Sequence, residues 1–273
     1  MNDLAQSDPP AAATEAERPA PSLSPAQLSE MLVLVKDADS VELKLSVPDV
    51  TTRSAVAALG MDVLDAQVRQ IAFFDTPDLA LYRAGVVVRA RRIQRKPGDA
   101  VVKLRPLNPE GLPATLRKDP GFGVEIDAMP GGFVCSGSMK SKVEDRHVKD
   151  VLLGRRSVHK LFNKRQRAFF TSHAPSGIEL GDLSLLGPTN ILKLKFTPPE
   201  FDRALVAELW FYPDGSRILE LSTKCDPSDA FTVAAEAKAL LYGRGIDLLS
   251  PQQTKTRTAL EYFANELVES STT

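Results

Sequence analysis

The sequence is poor in the residues that mark several common protein classes. Its 273 residues include two cysteines, three histidines and one tryptophan. Cys135 and Cys225 offer neither a metal-ligand spacing nor a disulfide framework, which fits a reduced, cytoplasmic setting. His147, His159 and His173 stand in polar or helical contexts without ligand spacing, so surface or structural roles are expected of them. No apolar run approaches the length that spans a bilayer. The N-terminus lacks a basic stretch followed by an apolar one, which argues against a secretory signal. The formal net charge is −1, so no nucleic-acid or membrane partner is expected from overall basicity. Any anion site must therefore be a local concentration of positive charge, balanced elsewhere in the chain.

Such a concentration is present between Phe73 and Arg105. Val86–Arg92 and Ala100–Arg105 read as two strands, with Pro97-Gly98-Asp99 at the tip of the connection. Side chains alternate faces along a strand, which puts Arg89 and Arg91 on one face and Val86, Val88 and Ala90 on the other. The second strand repeats the pattern with Lys103 and Arg105 against Val102 and Leu104. Cross-strand neighbours lie about 5 Å apart, so these cations repel one another unless carboxylates or a polyanion offset them.

The remaining chain extends this pattern. Residues 1–30, rich in Pro, Ala, Ser and Glu, read as a disordered tail, and 31–269 as one folded domain. Ser40–Val47 alternates strictly, with Glu42 and Lys44 on its polar face. A helix over Thr52–Leu59 and a strand over Gln67–Phe74 follow, then a helical turn at Leu79–Arg83. Gly123–Asp127 is a strand with Glu125 and Asp127 on one face; Ser141–Leu153 has helical spacing, and Arg156–Phe162 extends it as a second helix. Lys164–Phe170 reads as a strand whose Arg165 and Arg167 share a face. Ile191–Phe196, Ala204–Tyr212 and Arg217–Cys225 are further strands, with Pro213-Asp214-Gly215-Ser216 as a hairpin turn between the last two. Their polar faces carry Lys193 and Lys195, then Glu208 and Trp210, then Glu220, Ser222 and Lys224. Ser228–Tyr242 and Gln252–Leu267 are helices, the second opening with Lys255 and Arg257, which either cap a tunnel mouth or face solvent.

Paired charges at i and i+2 on nearly every strand fit two arrangements. One is an open sheet with a solvated polar face. The other is a closed barrel whose apolar faces point outward under helices and whose charged faces line a wet channel. The second would focus positive potential and suit a polyphosphate, with a few carboxylates for a hard dication.

In the order of its motifs the chain resembles the CYTH superfamily, the triphosphate tunnel metalloenzymes. Glu42-Leu-Lys44 is similar to the end of that family's Glu-x-Glu-x-Lys signature, with Ser40 in place of the first Glu. Phe74-Asp75-Thr76, Leu81, Gly85 and Arg89-Ala-Arg91 are similar to its next motif, and Lys103 stands where a further tunnel lysine belongs. The resemblance implies an α+β fold: an antiparallel, eight-stranded β tunnel with helices packed outside. It implies a metal-dependent hydrolase of a triphosphate-bearing compound, inorganic or organic. An adenylyl cyclase and a non-catalytic polyphosphate or nucleotide binder are the alternatives. Lys44, Arg89, Arg91 and Lys103 would grip phosphates, joined by Arg105, Arg165, Arg167, Lys193, Lys195 and Lys224. Glu42 and Lys44 would carry catalysis, and Glu42, Glu208 and Glu220 would hold Mg2+ or Mn2+. The partner would be a small-molecule triphosphate or polyphosphate, and the protein a monomer or homodimer. Ser40 and Ser222 stand where the family carries carboxylates, which predicts a weaker metal site.

Overall fold

A computed structural model describes residues 23–252 and 254–271. Among these, nine strands close into a barrel in the order β1-β5-β6-β4-β3-β2-β7-β8-β9. They are β1 (Ser40–Val47), β2 (Gln67–Asp75), β3 (Val86–Ile93), β4 (Lys96–Leu104), β5 (Phe122–Met129), β6 (Gly132–Val143), β7 (Ser184–Phe196), β8 (Leu205–Phe211) and β9 (Arg217–Cys225). The helices are α1 (Pro25–Leu34), α2 (Asp49–Ala58), α3 (Ala80–Arg83), α4 (Ala114–Arg117), α5 (Asp145–Leu152), α6 (Lys164–Thr171), α7 (Ala230–Gly243) and α8 (Lys255–Ser271). The closed barrel with external helices agrees with the sequence reading. Two details correct it: there are nine strands, and β1 runs parallel to β5 while antiparallel to β9.

Alternation decides which side chains go where. The outward faces of β2, β3, β4 and β6 bury Phe74, Val88, Ala90, Val102 and Met139 under Val148, Val151, Phe169 and Phe170 of α5 and α6. Each large side chain removed from water this way contributes roughly 1.5–3 kcal/mol. The outward faces of β1, β5 and β9 bury Val41, Ile126 and Leu221, with α2 and α7 among the covering helices. The charged face of each strand is left pointing inward.

Three local expectations are overturned. Lys164–Phe170 is not a strand but the start of α6. Asn163 accepts from the Gln166 backbone N–H, Gln166 returns the bond to the Asn163 N–H, and buried Gln166 ties the helix to the Ala100 and Met139 carbonyls. That reciprocal cap outweighs the strand-like alternation. The β3–β4 turn lies at Gln94-Arg95, with Arg95 at φ 59°, and Pro97-Gly98-Asp99 belongs to β4. A register shift there accommodates Pro97, and a Cβ at position 98 would collide with the Arg91 carbonyl oxygen. Finally, Gly132–Val143 forms β6, so the helix expected from Ser141 begins only at Asp145. Its continuation over Arg156–Phe162 is a 3-10 turn at Val158–Leu161.

Of the expected tail, residues 1–22 lie outside the described residues. The rest of that stretch is helical, because Ser24 and Gln27 form a capping box that launches α1 at Pro25. No helix among the described residues is long and apolar enough to cross a membrane.

Candidate functional site: a charged lumen

The inward faces enclose a cavity of about 940 Å³. Its wall includes Lys44 of β1, Arg69 of β2, Arg89 and Arg91 of β3, Lys103 of β4 with Arg105 just beyond, Lys140 of β6, Lys193 of β7 and Lys224 of β9. Glu42, Glu125, Glu208 and Glu220 share the wall with them. Most of the cations expected from the sequence therefore meet in one place.

The centre of the cationic wall is Asp127, whose side chain is fully buried. Lys44 Nζ lies 2.6 Å from Oδ1, while Arg105 Nη1 and Lys103 Nζ lie 2.7 and 3.4 Å from Oδ2. Burial alone would raise the Asp127 carboxyl, but Lys103, Lys44 and Arg105 outweigh it and hold the group far below the usual carboxylate range. One carboxylate cannot serve three cations equally. Burial lowers Lys44 too, yet Asp127, Glu42 and Glu220 together push it above the ordinary lysine value. Lys103 is the loser: burial, opposed by Asp127 but reinforced by Lys44, Arg89 and Arg105, brings it down to about 8. Arg89 is lowered to about 10 by burial and then by Arg91, and its buried Nε has no hydrogen-bond partner. Arg89 and Lys103 are thus wall cations that the protein itself does not fully satisfy, whereas Arg91 is paired with Asp99 at 2.6 Å.

Glu42, Glu125 and Asp127 each place a carboxylate oxygen within 4.8 Å of the others. This trio differs from the expected Glu42, Glu208 and Glu220. Glu125 is the register partner of Ser40 across the parallel β1–β5 ladder, so the neighbouring strand supplies a carboxylate beside the position where β1 has a serine. Ser222, opposite Lys44, donates its hydroxyl to Glu42 at 3.1 Å. Three hard oxygen donors this close are a group that could hold a hard dication. Each is engaged internally: Glu42 with Lys44 at 3.0 Å, Glu125 with Lys224 at 2.6 Å, and Asp127 with its three cations.

Glu208 and Glu220 face each other across β8 and β9 and are held by Lys255 at the start of α8. Lys255 Nζ is 2.7 Å from each, and Lys193 is 2.9 Å from Glu208. Burial would raise Glu208, but Lys255 and Lys193 bring it well below its ordinary value. Lys255 also sits 5.0 Å over the Trp210 ring. Behind it, Ala259, Leu260 and Phe263 of α8 pack on Ile71, Phe73, Val87, Trp210 and Ile218. Of the two readings open for Lys255 and Arg257, a tunnel-mouth cap or a solvated face, Lys255 lines the cavity while Arg257 is exposed and pairs with Glu261. Trp210 is a packing residue of that apolar end.

Arg165 and Arg167 lie on the exposed surface of α6, Arg165 pairing with Asp119 at 3.2 Å, and neither reaches the lumen. Lys195 is exposed on β7 and outside the cavity wall. Four residues of the site, Arg69, Lys140, Glu125 and Asp127, were not expected there from sequence. The shared face of Glu125 and Asp127 was readable; Lys140 was hidden because β6 was not recognised.

No protein-family model matches the sequence, and no curated protein matches it. Solved structures do share its fold. A candidate adenylate cyclase from Bacillus halodurans superposes with a TM-score of 0.57 at 14% identity, covering 81% of this chain and 97% of the other. A candidate adenylyl cyclase from Hippeastrum, described as having a dominant triphosphatase activity, superposes with a TM-score of 0.59 at 16% identity, covering 79% and 92%. The chain thus has the CYTH-type tunnel fold.

Proposed function

We propose that the protein binds a triphosphate-bearing compound in the lumen and hydrolyses it with Mg2+ or Mn2+. The observation that carries this reading is the under-satisfied cationic wall: Arg89 without a partner at its Nε, and Lys103 sharing Asp127 with two stronger competitors. Arg69, Arg89, Arg91, Lys103 and Lys140 would take phosphoryl oxygens, Arg89 and Arg91 through planar guanidinium groups. Glu42, Glu125 and Asp127 would hold the metal. When bound, the ion would neutralise charge on the transferred phosphoryl group and orient water. Phosphate arrival would draw Lys103 and Arg105 away from Asp127 and free that carboxylate for ligation. Metal and polyphosphate should accordingly bind cooperatively. The Hippeastrum protein's triphosphatase activity supports hydrolysis as the reaction. Two buried, unpaired cysteines suit the cytoplasmic setting read from the sequence.

A second reading, binding without hydrolysis, is favoured by Lys255 neutralising Glu208 and Glu220, which leaves fewer carboxylates for a metal. The test is phosphate release from tripolyphosphate, thiamine triphosphate and ATP with each metal, beside calorimetry with tripolyphosphate. Release that vanishes in EDTA supports the first reading; tight binding without release supports the second. Failure of tripolyphosphate to bind at all overturns both.

A further inference from the structure

Outside the lumen, one stretch of the chain carries positive charge with no acidic residue of its own. Arg155, Arg156, Lys160, Lys164, Arg165 and Arg167 fall within 13 consecutive positions of a chain whose net charge is −1. No aspartate or glutamate occurs between Val151 and Ile178. Five of the six are exposed and Arg156 is half-buried. Among the described residues the group makes one ion pair, Arg165 with Asp119. Arg156 donates only to the Lys160 carbonyl, at 3.5 Å, and its buried Nε has no partner. Soluble surfaces ordinarily intersperse both signs, and a run of one sign adds self-repulsion.

The placement of these residues raises that cost. Lys164, Arg165 and Arg167 occupy the first turns of α6 with no acidic residue among them, at the end of the helix where its dipole disfavours cations. The helix is kept in place by its cap and by Gln166, whose amide spans the Ala100 and Met139 carbonyls of β4 and β6. Lys164 and Arg167, three apart, share a helical face. Lys164, Arg165 and Arg167 are therefore mounted on a helix pinned to the barrel, and Lys160 precedes it in the 3-10 turn Val158–Leu161.

The chemistry of the surface narrows the ligand. The aromatic rings of this segment, Phe162, Phe169 and Phe170, are all buried. No phenylalanine, tyrosine or tryptophan ring is presented on which a nucleobase would stack, and the one remaining ring, half-buried His159, is tied to the Ser157 hydroxyl at 2.9 Å, which leaves little of the usual means of holding a single strand. What remains is recognition of phosphate charge alone, and condensed phosphate presents the most charge per length of chain. We propose that Arg155–Arg167 forms a second anion site, which holds a linear chain of inorganic polyphosphate on the outer surface. It uses none of the lumen residues, so this site and the tunnel reading fail separately.

The experiment is binding of long-chain inorganic polyphosphate and of tripolyphosphate to the full chain across a salt series. The variants are a triple substitution, Arg155→Gln with Lys160→Gln and Lys164→Gln, and separately Arg89→Ala. The triple variant should bind the long chain at least tenfold more weakly. The slope of log affinity against log salt should shrink by about 2, near 0.7 for each phosphate no longer neutralised. Its tripolyphosphate affinity should equal that of the wild type, while Arg89→Ala shows the reverse pattern. Wild-type affinity for the long chain in the triple variant overturns the proposal. So does tighter binding of single-stranded RNA, or of phosphatidylserine vesicles, than of polyphosphate. Should the triple variant fold poorly, a wild-type affinity indifferent to salt overturns it equally.

Discussion

Two ion clusters on the same barrel wall follow opposite designs. At the Lys255 cluster, two carboxylates meet two lysines, and the apolar side of α8 seals the space behind them. At the Asp127 cluster, one buried carboxylate is shared by three cations, and Arg89 and Lys140 line the same cavity. The first is balanced by its own residues and fastens a helix. The second is short of carboxylate, even with Glu42 at 3.0 Å from Lys44, and is the one proposed to take an added anion. Inward-facing charge is thus not in itself a sign of ligand binding; the local ratio of carboxylate to cation separates latch from site.

The comparison breaks most sharply at its centres. Asp127→Asn leaves Lys44, Lys103 and Arg105 buried against one another and should cost about 3–5 kcal/mol in denaturant unfolding. Saturating tripolyphosphate should restore much of that loss, because the anion replaces the missing charge. A variant as stable as wild type, or one indifferent to the anion, contradicts the asymmetry. Lys255→Met removes the latch and leaves Glu208 facing Glu220, at a cost of about 3 kcal/mol. Tripolyphosphate should not rescue this variant, whereas adding Glu220→Gln should recover part of the stability. Rescue by the anion would mean that the latch also belongs to the ligand site.

Smaller effects sharpen the distinction. Arg89→Ala should weaken tripolyphosphate binding about tenfold, roughly 1.4 kcal/mol, with an unchanged unfolding midpoint. Calorimetry and thermal unfolding on the same sample check both halves. The smallest effect is on pH dependence. The folded-state value of Lys103, about 8, lies below its ordinary 10.5, so the unfolded chain binds more protons between the two. Its contribution to stability therefore rises with pH across that window and is absent below it. Affinity for tripolyphosphate should move the other way, falling as pH rises through 8, with proton uptake on binding. Lys103→Arg should flatten this fall.

Much of the barrel was legible because alternation is a strong signal when charge and valine share a strand, as in β1, β3 and β9. The lumen cations Lys44, Arg89, Arg91 and Lys103 follow from it directly. β6 was not legible: Ser136, Gly137 and Ser138 at its middle lack the branched side chains that mark strands. With β6 went Lys140. The helix α6 resembles a strand in sequence because Lys-Arg-Gln-Arg alternates, although the Asn163–Gln166 cap was there to be read. Lys255 was ambiguous because nothing near it in sequence reveals Glu208 and Glu220, which other elements bring to it.

The position of β1 between β5 and β9 also has a kinetic meaning. Val41 pairs with Cys225, a separation of 184 residues, so the first strand waits for the last before the barrel closes. Loop-closure entropy and high contact order make such a pairing slow and late. During synthesis β1 is made long before β9, and its edge stays open until nearly the whole chain has emerged. Lys44 of β1 and Lys224 of β9 meet only at that last step, whereas the cations of β3, β4 and β6 are already neighbours through local pairings. A polyanion that needs the finished lumen therefore has an incomplete wall to hold before closure, and should act on unfolding more than on folding.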